Sequence, residues 1–165
     1  MSRNLGKGVL AGVIGGLVGS VALRSWMTAM SYVHEGTLMP DQNGPAHQVA
    51  ALVVDKLTGK PLQGWQRVTA GEVVHYAFGA FNGGFYGGLA EYQAWTTAGA
   101  GTLFGTGVFL AADESSMPLL GLIPPPWTET PAAQMEHWAA HLVFGVVTEL
   151  TRRSVRRALG DADQA

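Results

Sequence analysis

Four apolar stretches separated by polar segments are the feature that most constrains the fold of this chain. They cover approximately residues 8–33, 73–90, 97–123 and 134–150. A helix needs about 20 apolar residues to cross the roughly 30 Å hydrocarbon core of a bilayer. The pattern therefore predicts an all-α bundle of four transmembrane helices. We expect one membrane domain over residues 1–160, followed by a disordered tail at residues 161–165.

The composition agrees with a membrane location. Only 13% of the residues are charged, and Gly supplies 23 of the 165, whereas about 25% of a typical soluble domain is charged. The net charge of −2 offers no broad basic face for nucleic acid. The chain has no cysteine, which excludes disulfides, thiolate metal sites and cysteine nucleophiles. The bilayer is therefore the partner that the composition favours.

The longest polar segment, residues 34–70, contains a candidate amphipathic helix. Val49, Leu52, Val53 and Leu57 recur at helical spacing between residues 46 and 57. This spacing predicts a helix that lies along the membrane surface between the first and second spans.

Basic residues indicate how the spans are oriented. Six flank the two ends of the chain, whereas three lie between the first two spans. The six are Arg3, Lys7, Arg152, Arg153, Arg156 and Arg157, and the three are Lys56, Lys60 and Arg67. Because cytoplasmic loops carry an excess of Lys and Arg, we predict that both termini face the cytoplasm. Two alternatives stay open: a signal peptide cleaved near Ser20-Val21-Ala22, and a soluble helical protein with glycine-rich core helices.

Glycines recur every four residues within the spans. Such rows let two helix backbones approach closely, which drives helix association in lipid. Two interpretations stay open. Either all rows pack helices within one bundle, or a row that is not used inside the bundle forms the contact of a homo-oligomer or of a larger membrane complex. The rows are Gly8, Gly12, Gly16 and Ser20 on the first span, Gly79, Gly83 and Gly87 with a parallel Gly84 and Gly88 on the second, and Gly101 and Gly105 on the third.

Ionisable residues inside the spans form a predicted polar layer toward the outer face. At about 1.5 Å of rise per residue, Arg24 and the Asp113-Glu114 pair come to similar depths. His75 and His141 enter their spans from the same side. An isolated charge in hydrocarbon costs roughly 2.5 to 3.5 kcal/mol on insertion scales. We therefore expect Arg24 to form an ion pair with Asp113 or Glu114.

The same layer allows two further interpretations. Glu72 and His75 are three residues apart, and His137 and His141 are four apart, so each pair shares a helix face and could bind a metal ion. Alternatively, the histidines and carboxylates titrate and form a local proton or ion site. The chain carries no Walker loop and no Ser in a Gly-x-Ser-x-Gly context. The sequence therefore names no catalytic residues and no cofactor apart from that alternative metal ion.

Several short motifs occur in an order that resembles a known family. A glycine-rich first span ends in Arg24 and Trp26, and Met117-Pro118-x-x-Gly121-x-x-Pro124 follows the third span. His141-Leu-Val-Phe-Gly145, Glu149 and Arg152-Arg153 close the chain. This layout is similar to the YagU-like family of small bacterial inner-membrane proteins. The resemblance implies an inner-membrane location and a loose link to acid stress, and it supplies no catalytic residues. Residues 34–70 and Asp113-Glu114 depart from it.

Together these patterns predict a non-enzymatic, multi-pass protein of the bacterial inner membrane. We expect an envelope or acid-stress factor, or an accessory subunit of a membrane complex. The alternative is a small proton- or ion-handling protein that uses the outer polar layer, and the third interpretation is a metal-binding membrane enzyme.

Overall fold

Five helices make up the protein, as a computed structural model of residues 3–36 and 44–161 describes it. They are α1 (Leu5–Glu35), α2 (Pro45–Thr58), α3 (Gly64–Ala90), α4 (Thr102–Ala111) and α5 (Pro131–Asp161). These ranges contain no strand, so the predicted all-α fold is confirmed. Within them only Leu5–His34 is long and apolar enough to cross a membrane, and it lies near the N-terminus. The other three spans stay a prediction.

Local sequence signals explain where the first two helices begin and end. The Asn4 side chain accepts a hydrogen bond from the Lys7 amide, 3.0 Å long, at the start of α1. Gly36 ends this helix in the left-handed conformation, at φ 68°. Pro45 begins α2 and Gly59 ends it at φ 66°. Helix α2 therefore occupies the segment in which helical spacing was found.

The third apolar stretch is not one continuous helix as predicted. Gly99, Ala100 and Gly101 all have positive φ, so the chain turns sharply before α4. After α4, residues Ala112–Ser116 form a π-helical turn, followed by a short helical turn at Met117–Leu119. Ser115 and Ser116 donate hydrogen bonds to carbonyl oxygens five residues back, which stabilises the wider turn.

Helices α3 and α5 are longer than the predicted spans. Helix α3 begins at Gly64 rather than near residue 73, so Glu72 and His75 lie well inside it. Helix α5 continues beyond residue 150 to Asp161, and its arginines Arg152, Arg153 and Arg156 form ion pairs with carboxylates. Most of the predicted tail, residues 162–165, lies outside the described residues.

Helix α1 lies at the centre, between α3 and α5, while α2 packs on α3 and α4 packs on α5. The glycine rows lie at these contacts. Gly12 and Gly16 face the backbone of Gly83 and Gly79, and Gly87 lies against Gly8 and Gly12. Gly101 and Gly105 face Gly145 and His141 of α5. In each case an added Cβ would overlap the neighbouring backbone, so these helices pack at the closest distance that backbones allow.

The second glycine row of α3, Gly84 and Gly88, contacts the same helix as the first row. Gly84 faces the side chains of Val9 and Val13, and Gly88 faces those of Leu5 and Val9, so both rows contact α1. On α1 the glycines meet two different helices, because Gly15 and Gly19 lie against α5 whereas Gly12 and Gly16 lie against α3.

Polar side chains are among the most deeply buried groups, while many large apolar side chains are exposed. The largest fully buried side chains are Glu149, Thr148 and Ser20. Large apolar side chains lie on the outside instead, with Phe81 72% exposed and Phe85 63% exposed. Acidic residues are almost never fully buried in soluble proteins unless they are paired.

Replacing Gly83 with Ala should destabilise the bundle by about 1 to 3 kcal/mol, because the added methyl group would overlap the backbone of α1. Gly107→Ala is the matched control, since a Cβ there meets no atom within 4 Å, and alanine favours a helix over glycine. The stability of both variants is measured by thermal unfolding in detergent. Equal stability of the two variants would contradict the close approach of α1 and α3.

Candidate functional site

A cavity of about 410 Å³ opens among all five helices, at the end of the bundle that holds the second half of α1 and the start of α5. Nine ionisable side chains line it: Arg24, His47, Glu72, His75, Asp113, Glu114, Glu129, His137 and His141. The residues of the predicted outer layer thus surround one space. Sequence reasoning missed His47 and Glu129, because neither lies in a predicted span.

Arg24 pairs with Glu72, not with Asp113 or Glu114 as expected. Arg24 Nη2 lies 2.5 Å from Glu72 Oε1. One turn earlier on α1, the Ser20 carbonyl oxygen lies 3.1 Å from His75 Nε2 and accepts its hydrogen bond. Because α1 and α3 are in direct contact, residues in successive turns face each other. Helix α4 packs on α5 instead, which turns Asp113 toward α5.

Asp113 lies beside His141. Its Oδ2 is 3.6 Å from His141 Nε2, and both side chains are largely buried. His141 Nδ1 is 3.0 Å from the His137 carbonyl oxygen. Since a carbonyl can only accept, Nδ1 carries the hydrogen, and Nε2 of a neutral ring turns a lone pair toward the carboxylate. The two groups attract each other only when one of them holds an additional proton. The pair is therefore a site that can bind a proton.

The predicted metal ligands do not form a ligand set. The described ranges contain no group of three or more His, Cys, Asp or Glu side chains placed to hold a metal ion. Glu72 is engaged by Arg24, and His75 by the Ser20 carbonyl. His137 and His141 line the same cavity from α5.

The opposite end of the bundle holds a buried ionic network. Glu149 is 0% exposed and accepts hydrogen bonds from Arg152 Nε at 2.6 Å, Arg153 Nε at 2.5 Å and the Tyr86 hydroxyl at 2.8 Å. Sequence reasoning did not find the partners of Glu149. The three- and four-residue spacing to the arginines was the signal that could have shown them.

A second carboxylate at that end is paired as well. Arg156 Nε lies 2.6 Å from Glu91 Oε1, and the Asn4 amide donates to Glu91 Oε2 over 2.9 Å. The hydrogen bond from Arg156 lowers the pKa of Glu91 below its usual value, although burial opposes the shift. A carboxyl with a lowered pKa in the folded state stabilises the fold at neutral pH, and loses this effect as the pH falls through the lowered pKa.

A double-mutant cycle should identify the partner of Arg24. Arg24→Met and Glu72→Gln should be coupled by about 0.5 to 3 kcal/mol, the range for residues in contact. Arg24→Met combined with Asp113→Asn is the matched cycle, and its coupling should be near zero. The measurement is unfolding free energy in detergent micelles. Stronger coupling to Asp113 than to Glu72 would overturn the observed pairing.

A family model described as "Protein of unknown function (DUF1440)" matches residues 59–150. No curated protein and no solved structure matches the chain significantly. The matched segment contains α3, α4 and most of α5, and with them Glu72, His75, Asp113 and His141. Because the match covers more than half of the sequence, the chain belongs to the DUF1440 family.

Proposed function

We propose that this chain is a non-enzymatic, four-span protein of the bacterial inner membrane that responds to acid outside the cell. In this proposal it is a YagU-like protein, and its cavity is the acid-responsive site. The observation that carries the proposal is the Asp113–His141 pair, which needs an additional proton for mutual attraction and lies in a cavity with three further histidines.

Exposed apolar side chains support the membrane location. They occur on α1, α3, α4 and α5, so the apolar surface surrounds the bundle and is not confined to one patch. Examples are Leu10, Val18, Phe81, Phe85, Leu103, Leu110 and Leu150. Exposed apolar patches this extensive are unfavourable in water, whereas lipid solvates them.

The charge of the cavity explains how acid would act. With neutral imidazoles, four carboxylates (Glu72, Asp113, Glu114 and Glu129) surround one guanidinium, that of Arg24. Histidine ordinarily gains its charge between about pH 8 and pH 5. Protonation of the four histidines would therefore reverse the excess negative charge. The resulting repulsion from Arg24 favours an altered packing of α2 and α4 around the cavity.

The opposite end favours a local site over a transport path. There the Glu149 and Glu91 carboxylates are saturated by arginines in a buried network. A proton in the cavity could not be passed on through this network, because guanidinium groups do not deprotonate in proteins and therefore cannot relay it. We therefore prefer an acid-response or accessory role to ion transport.

The proposed topology is tested by single cysteines in this cysteine-free chain. Gly44→Cys should react with a membrane-impermeant maleimide in intact cells, because the start of α2 would lie outside. Gly160→Cys should not react, because the end of α5 would lie in the cytoplasm. A permeant maleimide should label both, which controls for burial. Labelling of position 160 alone by the impermeant reagent would contradict this orientation.

The acid response is tested by His141→Gln, which removes the titrating nitrogen beside Asp113. Bacteria lacking their own copy should survive acid less well with this variant than with the wild type. His34→Gln is the matched control, because His34 pairs with Glu136 outside the cavity. Imidazole ¹⁵N NMR of the wild type in micelles should show the His141 ring gaining a proton when the sample is acidified. An unchanged His141 signal, or equal survival, would contradict the proposal.

A further inference from the structure

We propose that the cavity binds an amphiphilic organic cation, a protonated amine carried on an apolar body. This inference rests on the proposed function, because it assigns a class of ligand to the same cavity.

The size and apolar lining of the cavity suit a small organic molecule. Its volume of about 410 Å³ lies within the usual range of about 300 to 1,000 Å³ for ligand sites. Met27, Val74, Phe78, Val108 and Phe144 contribute apolar surface to its wall. The helices of the bundle thus provide room for an apolar body beside a few polar groups, the arrangement typical of small-molecule sites.

The charges around the cavity favour a cation over an anion. Among the elements around the cavity, all but α4 contribute ionisable side chains. Helix α1 supplies Arg24, α2 supplies His47, α3 supplies Glu72 and His75, the π-helical turn supplies Asp113 and Glu114, the following loop supplies Glu129, and α5 supplies His137 and His141. The single guanidinium among these described residues is already taken by Glu72. An anion would therefore meet uncompensated carboxylates, whereas a cation would relieve them.

Asp113 and His141 are positioned to bind the charged head of such a ligand. The Nδ1 hydrogen of His141 is donated to the His137 carbonyl, so Nε2 is free to accept. Asp113 Oδ2 and His141 Nε2 are two acceptors 3.6 Å apart. An ammonium nitrogen can donate to both at about 2.8 to 3.0 Å. In acid a proton would occupy the same place, and an entering ammonium group would displace it to solvent.

The π-helical turn explains why Asp113 is at this place. The wider turn at Ala112–Ser116 changes the direction in which side chains leave the helix, and hydrogen bonds from Ser115 and Ser116 hold it. Interruptions of this kind occur frequently at functional sites. Glu114 lies next to Asp113 and makes no ion pair within the described ranges, so it adds a second carboxylate for the same cation.

The test uses three ligands that differ mainly in charge: 4-phenylbutylamine, 4-phenylbutanol and 4-phenylbutyrate. Binding is measured by calorimetry with the full chain in phosphatidylcholine nanodiscs, after subtraction of empty nanodiscs. At pH 8 the amine should bind about ten- to a hundredfold more tightly than the alcohol, the effect of one charge-assisted hydrogen bond. The carboxylate should bind weakest. Lowering the pH to 5.5 should weaken amine binding, because protons compete for the same two acceptors.

Asp113→Asn should lose at least about tenfold of the affinity for the amine and leave the affinity for the alcohol unchanged. Asp55→Asn is the matched control, since Asp55 is an exposed carboxylate of α2 outside the cavity. If Asp113→Asn fails to fold, the affinities of the wild type for the three ligands still show whether the cavity prefers a cation.

Equal affinity for the amine and the alcohol, or tightest binding of the carboxylate, would overturn the inference. Equal losses in the two variants would indicate non-specific attraction, and would also overturn it. If His141 titrates as proposed but the amine shows no preference, only the ligand assignment fails. If His141 does not titrate either, the proposed acid response fails with it.

Discussion

The close approach of α1 to both α3 and α5 is the contact on which the rest of the structure depends. On one face of α1, Gly12 and Gly16 touch the backbone of α3, and on the other, Gly15 and Gly19 touch that of α5. Neither face has room for a Cβ. Contacts of this kind depend on van der Waals packing and need no burial of apolar surface, which is why they serve helices surrounded by lipid. They also set the register that brings Ser20 beside His75.

Because small residues occupy the helix contacts, the interior of the bundle can accommodate polar groups. Thr148 and Glu149 are fully buried on α5, one turn or less from the glycine contacts with α1 and α4. A buried carboxylate is stable only when its lone pairs are satisfied, and Glu149 receives hydrogen bonds from two arginines and a tyrosine. The ring of that tyrosine, Tyr86, stacks on Phe104 of α4, so the network connects three helices.

Much of this arrangement could be predicted from the sequence, and the exceptions have identifiable physical causes. Four-residue glycine spacing and ionisable residues in apolar stretches depend on short-range patterns, which a sequence displays directly. The partner of Arg24 could not be predicted, because depth estimates assume straight spans with known starts. Glu72 was expected in the same layer, but only the contact of α3 with α1 shows that it faces Arg24. The π-helical turn also has no periodic signal, although it decides which way Asp113 faces.

The two ends of the bundle differ in how they can respond to pH. At the end with Glu91 and Glu149, every described cation paired with these carboxylates is an arginine, and a guanidinium keeps its charge at all physiological pH values. The lowered pKa of Glu91 also keeps its charge in moderate acid. At the other end four imidazoles line the cavity beside one guanidinium. In the proposed acid response, protonation of these imidazoles would loosen the cavity while the opposite end keeps the helices together. In the proposed topology the cavity lies on the outer side, where a bacterium meets acid first.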